Sequence, residues 1–540
     1  MPTLLFNLNQ IFKILEKMKT LKYYIYTLVI LAGISSCSDS LDLVPEDYFG
    51  NESFWQNEAQ VNNFMVGIHK QMRDNQFMFV RLGEMRGGGY SNKDRQNTSL
   101  NELPIIEQRL SENSPGVTSW ATFYGAILQI NLFIQKVEEI TFLNDAKKKY
   151  LLGQAYGIRA YYYFHLLRTY GGVPIRLEPE ALNGNIDPVA LRKARASEAE
   201  VLSAIKEDIS KSMESFGVAG NPTEKSQWSL NATAMLKGDV FLWSAKVYGN
   251  NADLADAKNA LQSVVGTALQ TTFPSVFASN QKNNKEIIFA LRNFVGESEM
   301  QNIGAYTYST FNFDNQHYKD SLASGPLLVD PLMIAASNSQ QIIQRYAYTF
   351  ELFKLYDVAD KRRDATFFDY YKVTKTGNPP YAVTVRNTAL VKFLGVISAN
   401  KRYFSDDWPV YREADRLLML AEIANAEGSD PSSFIKQIRD RAYSPDADPM
   451  PFVNTTKDNN EVAIFTERYK EFVHEGKSWY DLLRMKYGSD PMVFKSAYHP
   501  YGVLDKATKS HEIRWPIEPA IWTNDPLVDQ TPGYPTTKPK

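Results

Sequence analysis

Apolar spacing divides this chain into a helical first half, an irregular middle and a helical return. In TSWATFYGAILQINLFIQKVEEI, Trp120, Tyr124, Ile127, Ile130, Ile134 and Val137 recur at three- and four-residue steps, one face of an amphipathic helix. Leu152, Tyr156, Arg159, Tyr163 and Leu166 carry the same spacing onward, and Gly171, Gly172 and Pro174 predict the stop. Ser197 and Glu200 form a capping box ahead of the stripe Val201, Ile205, Ile209, Met213 and Phe216. Two further helices are predicted over NATAMLKGDVFLWSAKVYGN and DLADAKNALQSVV, where Ala255, Ala257 and Ala260 permit close approach. Helix pairs at this interval predict tetratricopeptide-like units, whose repeat is roughly 34 residues.

From about residue 266 to 410 the helical period fails. Glycines, prolines and aromatics mix in NFVGESEMQNIGAYTYSTFNFDNQHY and YYKVTKTGNPPYAVTVRNTALVKFLG, which predicts loops with a few short strands. Long irregular stretches often carry function. Helices return over READRLLMLAEIANAEG, PSSFIKQIRDRAY and EVAIFTERYKEFVHEGKSWYDLLRM, before a proline-punctuated tail. The expected fold is mainly α: tetratricopeptide-like helix pairs forming a scaffold, with a loop-rich second part containing a few short strands.

The N-terminus reads as a targeting segment. Met18 is followed by Lys19 and Lys22, an apolar run over 23–34, then Ser35, Ser36 and the only cysteine, Cys37. Positive region, short apolar core and small residues at the cut make a secretory signal. It is shorter than the ~20 apolar residues a membrane span needs. ISSC resembles the lipobox of bacterial lipoproteins, which implies cleavage before Cys37 and acylation of its sulfur. More than one acyl chain gives a stable anchor. Residues 1–17 then read as an upstream extension, 18–36 as the signal, and 37–50, acidic and carrying Pro45, as a tether.

Net charge is −2 and no basic arm appears, so nothing favours nucleic acid. Aromatics make up 13% of the chain, enough for both cores and binding surfaces. Catalytic signatures are missing. The six histidines form no H-x-x-x-H pair, G-x-S-x-G and phosphate-loop motifs are absent, and RGGGYSN lacks the lysine and helix start of a phosphate loop. RGGGYSN reads as a flexible loop between helices. The adjacent Asp406 and Asp407 read as solvent-facing rather than as a glycosidase pair. No catalytic residue, metal or cofactor is expected.

Four blocks now align with one family. GIRAYYYFHLLRTYGGVP (157–174), PVYREADRLLMLAEIANAEG (409–428), FTERYKEFVHEGKSWYDLLRM (465–485) and WPIEPAIWTNDPLVDQTPGY (515–534) resemble, in order, the signatures of SusD/RagB-type lipoproteins. Lys477, Glu518 and Thr531 depart from the usual residues. The resemblance implies an N-terminal helical region over 51–265 and a C-terminal region over 266–540, loop-rich and then helical. It implies a non-catalytic lipoprotein facing outward from an outer membrane, which captures glycans and passes them to a SusC-like TonB-dependent transporter. A secreted glycoside hydrolase and a transporter lid for peptide cargo remain open alternatives. Glu467, Glu471 and Glu475 stand four apart, which reads as a salt-bridged helix surface packing on the tail.

A sugar presents an apolar C–H face and a polar rim, so its site wants flat rings beside amide, carboxylate and guanidinium groups. Two loops have that composition. Residues 81–97 offer Arg86, Tyr90, Asn92 and Asp94, and residues 304–318 offer Tyr306, Tyr308, Phe311, Asn312 and His317. Trp120, Trp228, Trp243, Trp479 and Trp515 sit in helical or signature contexts and are expected in the core.

Overall fold

The structure is a computed structural model that describes residues 54–91, 102–117, 119–181, 187–217, 220–300, 317–328, 331–332 and 347–535. Backbone contacts divide the chain into a short first unit, Met1–Gln60, and a second, Val61–Lys540, which holds every element described below. The calls on residues 1–17, on the signal over 18–36 and on the tether over 37–50, Cys37 included, lie outside the described residues.

The interior forms around the helix Asp145–Tyr170. Asn144 caps it by accepting from the Lys147 amide, and Gly171, at φ +78°, ends it. Nearly every side chain from Leu151 onward is buried, so this helix is enclosed rather than amphipathic. The helices Ala121–Glu139, Glu198–Phe216 and Leu230–Tyr248 surround it, and Asp253–Gln262 pairs with Leu230–Tyr248. Gly157 is what lets them close: a Cβ there would lie 2.1 Å from the indole nitrogen of Trp228. The capping box is present, with Ser197 and Glu200 each satisfying the other's backbone amide. These are the predicted helix pairs.

The irregular middle contributes short strands. Ile287–Leu291 pairs antiparallel with Trp408–Arg412, and both are buried along their whole length. Phe367–Thr374 and Ala382–Leu390 form a hairpin, with His317–Tyr318 on its other edge. The helices Glu413–Ala426, Ser432–Tyr443 and Lys457–Glu471 pack onto this frame.

Four expectations are corrected here. The predicted helix over 461–485 is two helices, Lys457–Glu471 and Ser478–Arg484. Between them the chain turns, with His474 at φ +65° and Gly476 at φ +70°, and the latter is glycine's own territory. Glu467, Glu471 and Glu475 are salt-bridged as expected, but inside the protein rather than at its surface; they are 3%, 0% and 2% exposed. Arg412 reaches Glu471 at 2.7 Å, Glu475 at 2.8 Å and Glu286 at 2.8 Å. Arg362 reaches Glu467 at 2.9 Å and Glu471 at 3.1 Å, and Arg441 also pairs with Glu471. Burial pushes the Glu471 carboxyl up, but Arg441, Arg412 and Arg362 outweigh it and hold it well below the usual range. A stripe of acids on a helix is ordinarily solvated; here cations from distant segments enclose it.

The remaining two corrections are local. RGGGYSN is not slack where it is described: a Cβ on Gly87 would lie 2.1 Å from Ser478 Oγ. Asp406 and Asp407 turn inward. Asp406 accepts from the Gly395 amide at 2.7 Å, and Asp407 pairs with Lys282 at 2.5 Å and Arg292 at 2.8 Å.

Candidate functional site

The described ends of the two nominated segments lie on short strands. Tyr90–Ser91, just before residue 92, pairs antiparallel with Ala347–Tyr348, just after residue 346. His317–Tyr318, just after residue 316, sits on the 367–390 hairpin. Thr388 of that hairpin donates to the Tyr348 carbonyl at 3.3 Å, which ties the two sheets together. More than 200 residues separate Tyr90–Ser91 from the other two strands in sequence, and the fold brings them together through these pairings.

Beneath the anchors lies a buried polar cluster. Tyr90 and Tyr348 stand opposite each other with ring centroids 4.3 Å apart and hydroxyls 2.6 Å apart. Both hydroxyls approach His474 Nδ1, at 3.1 and 2.8 Å. Tyr348 donates to Glu84 Oε1 at 2.8 Å, and the His474 and Gly476 amides donate to the same carboxyl at 2.7 and 2.8 Å. Burial raises the Glu84 carboxyl to about 7 against the pull of those donors. Burial, with Lys392 adding to it, lowers His474 to about 3, so its ring is neutral. A cluster with this many mutual bonds fixes the strand ends in place.

The structure places the sequence-nominated residues as follows. Arg86 is fully buried, stacked 4.0 Å from the Trp479 ring, and donates to Gln108 Oε1 at 2.9 Å and the Glu512 carbonyl at 2.7 Å. Tyr90 and His317 are 5% and 4% exposed. All three are buried rather than ligand-facing, and the polar atoms of Arg86 and Tyr90 bond within the interior. Asn92, Asp94, Tyr306, Tyr308, Phe311 and Asn312 lie outside the described residues.

Two features escaped the sequence. On the hairpin beside the anchors, Lys319 lies 4.2 Å over Phe368, and Lys375 lies 4.5 Å over Tyr318 and 5.9 Å over Tyr381. The alternating FFDYYKVT run is the signal for Phe368, since half of a strand's side chains face outward. Trp228, Trp243, Trp479 and Trp515 are core as expected, but Trp120 is only half-buried and lines a groove. Trp120 precedes the helix Ala121–Glu139 rather than lying within its buried stripe.

What the arrangement offers is a braced set of strand ends. Comparison with known proteins identifies the family. Residues 285–534 match the SusD family, and residues 39–231 match a family described as starch-binding and associating with the outer membrane. A curated relative, the SusD-like protein P38 of Formosa agariphila, is 23% identical and aligns over 96% of this chain and 100% of its own length. Among solved structures, a SusD superfamily protein from Bacteroides fragilis is 36% identical, with a TM-score of 0.80, over 89% of this chain and 100% of that one. NanU of B. fragilis is 31% identical, with a TM-score of 0.76, over 91% and 100% of the two chains. Sequence and fold agree over nine-tenths of the chain, and the protein belongs to the SusD family.

Proposed function

We propose that this protein is a lipoprotein tethered through Cys37 to the outer membrane, facing outward, where it binds oligo- or polysaccharide without cleaving it. It hands that cargo to a SusC-like TonB-dependent transporter. The observation that carries the reading is the match of residues 39–231 to a starch-binding, outer-membrane family, on a chain whose lone cysteine follows a secretory signal. The geometry is in keeping with it: the strand ends next to the segments of sugar-binding composition are braced by the Tyr90–Tyr348–His474–Glu84 cluster. Asn92, Asp94, Tyr306, Tyr308, Phe311 and Asn312 are the groups proposed to meet the cargo. Micromolar to millimolar affinity, roughly 4 to 8 kcal/mol, suits cargo that must be released again.

The test is migration in native gels that contain a panel of polysaccharides, with a parallel assay for new reducing ends. Retardation by one glycan class without release of reducing ends is expected. Reducing ends whose release disappears on a single carboxylate substitution would instead make the protein a hydrolase.

A further inference from the structure

A cavity of about 30 Å³ lies where the helices Asp145–Tyr170, Leu230–Tyr248 and Ser478–Arg484 meet the strand Trp408–Arg412. Three of the four signature blocks line it: 157–174 through Arg168, 409–428 through Tyr411 and Asp415, and 465–485 through Lys477, Tyr480 and Arg484.

Most of the charge around it is tightly paired. Asp415 meets Lys477 at 2.7 Å and Arg468 at 3.1 Å. Asp481 meets Arg468 at 2.8 Å and Arg484 at 2.9 Å, and Arg484 also reaches Asp239 at 3.0 Å. Arg168 is the exception. It is 5% exposed, with its guanidinium between the rings of Phe164 and Tyr480, each 3.8 Å away. Its polar neighbours stand off, Asp239 at 3.5 Å and His165 Nε2 at 3.4 Å. Its Nε has no hydrogen-bond partner among the described residues. The Tyr411 hydroxyl is likewise 3.4 Å from Asp239. Such bonds ordinarily close to about 2.7 to 3.0 Å. These groups are spread around a space rather than joined across it.

Charge and volume select the occupant. Four cations and four carboxylates line the cavity, the fourth carboxylate being Glu475, which Arg412 holds at 2.8 Å. His165 adds no charge, because burial and the neighbouring Arg168 hold it well below its ordinary value. Where the charges cancel, neither an anion nor a cation recovers the cost of leaving water. An apolar occupant would leave the Arg168 Nε–H unsatisfied. A buried water needs roughly 10 to 15 Å³ of such space and about two to four polar partners, so the volume admits one or two waters and nothing bulkier.

We propose that this cavity is an internal hydration site. An ordered water accepts from Arg168 Nε and from the Tyr411 hydroxyl and donates to Asp239. It gives polar residues of three signature blocks a common partner, whatever cargo the protein carries.

Crystal structures of the protein that resolve ordered solvent, one from a native crystal and one from a crystal soaked in bromide, test this. One or two water peaks within hydrogen-bond distance of Arg168 Nε and Asp239 are expected, with no anomalous bromide peak in the cavity. Arg168→Met, which keeps much of the side chain's bulk and removes its donors, should lose the water. A bromide peak would make the cavity an anion site. An empty cavity, or side chains closed directly onto one another, would abolish the site. Water retained in a folded Arg168→Met would take Arg168 out of it. Each of these results would overturn the proposal, and should Arg168→Met fail to fold, the two wild-type crystals decide.

Discussion

Two regions rich in charge and rings behave in opposite ways. Around Arg412 the ion pairs are sealed: Arg412, Glu286 and Glu471 are each 0% exposed. At the surface, Lys436 and Asp440 form an equally short pair at 2.6 Å with side chains 73% and 56% exposed. The first arrangement is a network whose members have no water to fall back on; the second trades one hydration for another. The family signature therefore names the interior.

Breaking the sealed network should have the largest effect. Glu471→Gln leaves Arg362, Arg412 and Arg441 without their common partner. The expected loss is about 3 to 5 kcal/mol in denaturant unfolding. Removing one hydroxyl from the cluster below the loops should cost less. Tyr348→Phe leaves Glu84 short of a donor, which costs about 1 to 3 kcal/mol, and should weaken glycan retention by loosening the strand ends.

A pH series sharpens the comparison. Glu84 titrates near 7 when folded and near 4.5 when unfolded, so the folded chain holds the extra proton between those values. Its contribution is complete below pH 4.5 and is lost as pH rises toward 7. The stability of the wild type relative to Glu84→Gln should therefore fall across that window. Glu467, at about 2 because Arg362, Lys470 and Arg439 overcome the effect of burial, works the other way and is lost as pH falls below 4.5. The smallest effect belongs to Lys436→Ala, expected to change stability by less than about 1 kcal/mol.

The frame was legible where its causes are local. The box of Ser197 and Glu200 and the stop at Gly171 each need only a few neighbouring residues, and both stand where the sequence puts them. Burial of Glu467, Glu471 and Glu475 was not legible. Their partner Arg362 lies more than 100 residues away, and spacing of four looks the same on a wet face as on a dry one. For the same reason the composition of 81–97 could nominate Arg86 and Tyr90 without saying that they point inward. Trp120 failed in the other direction: its helical period suggested core, but it sits where the helix begins and a groove opens.

The central claim is that cargo is held by loops on an inert frame. The direct measurement is affinity electrophoresis of wild type and Tyr306→Ala/Tyr308→Ala in gels carrying whichever polysaccharide retards the wild type. The double variant should migrate freely with its melting temperature unchanged. Undiminished retardation of a folded double variant, repeated with Asn92→Ala/Asp94→Ala, would contradict the account.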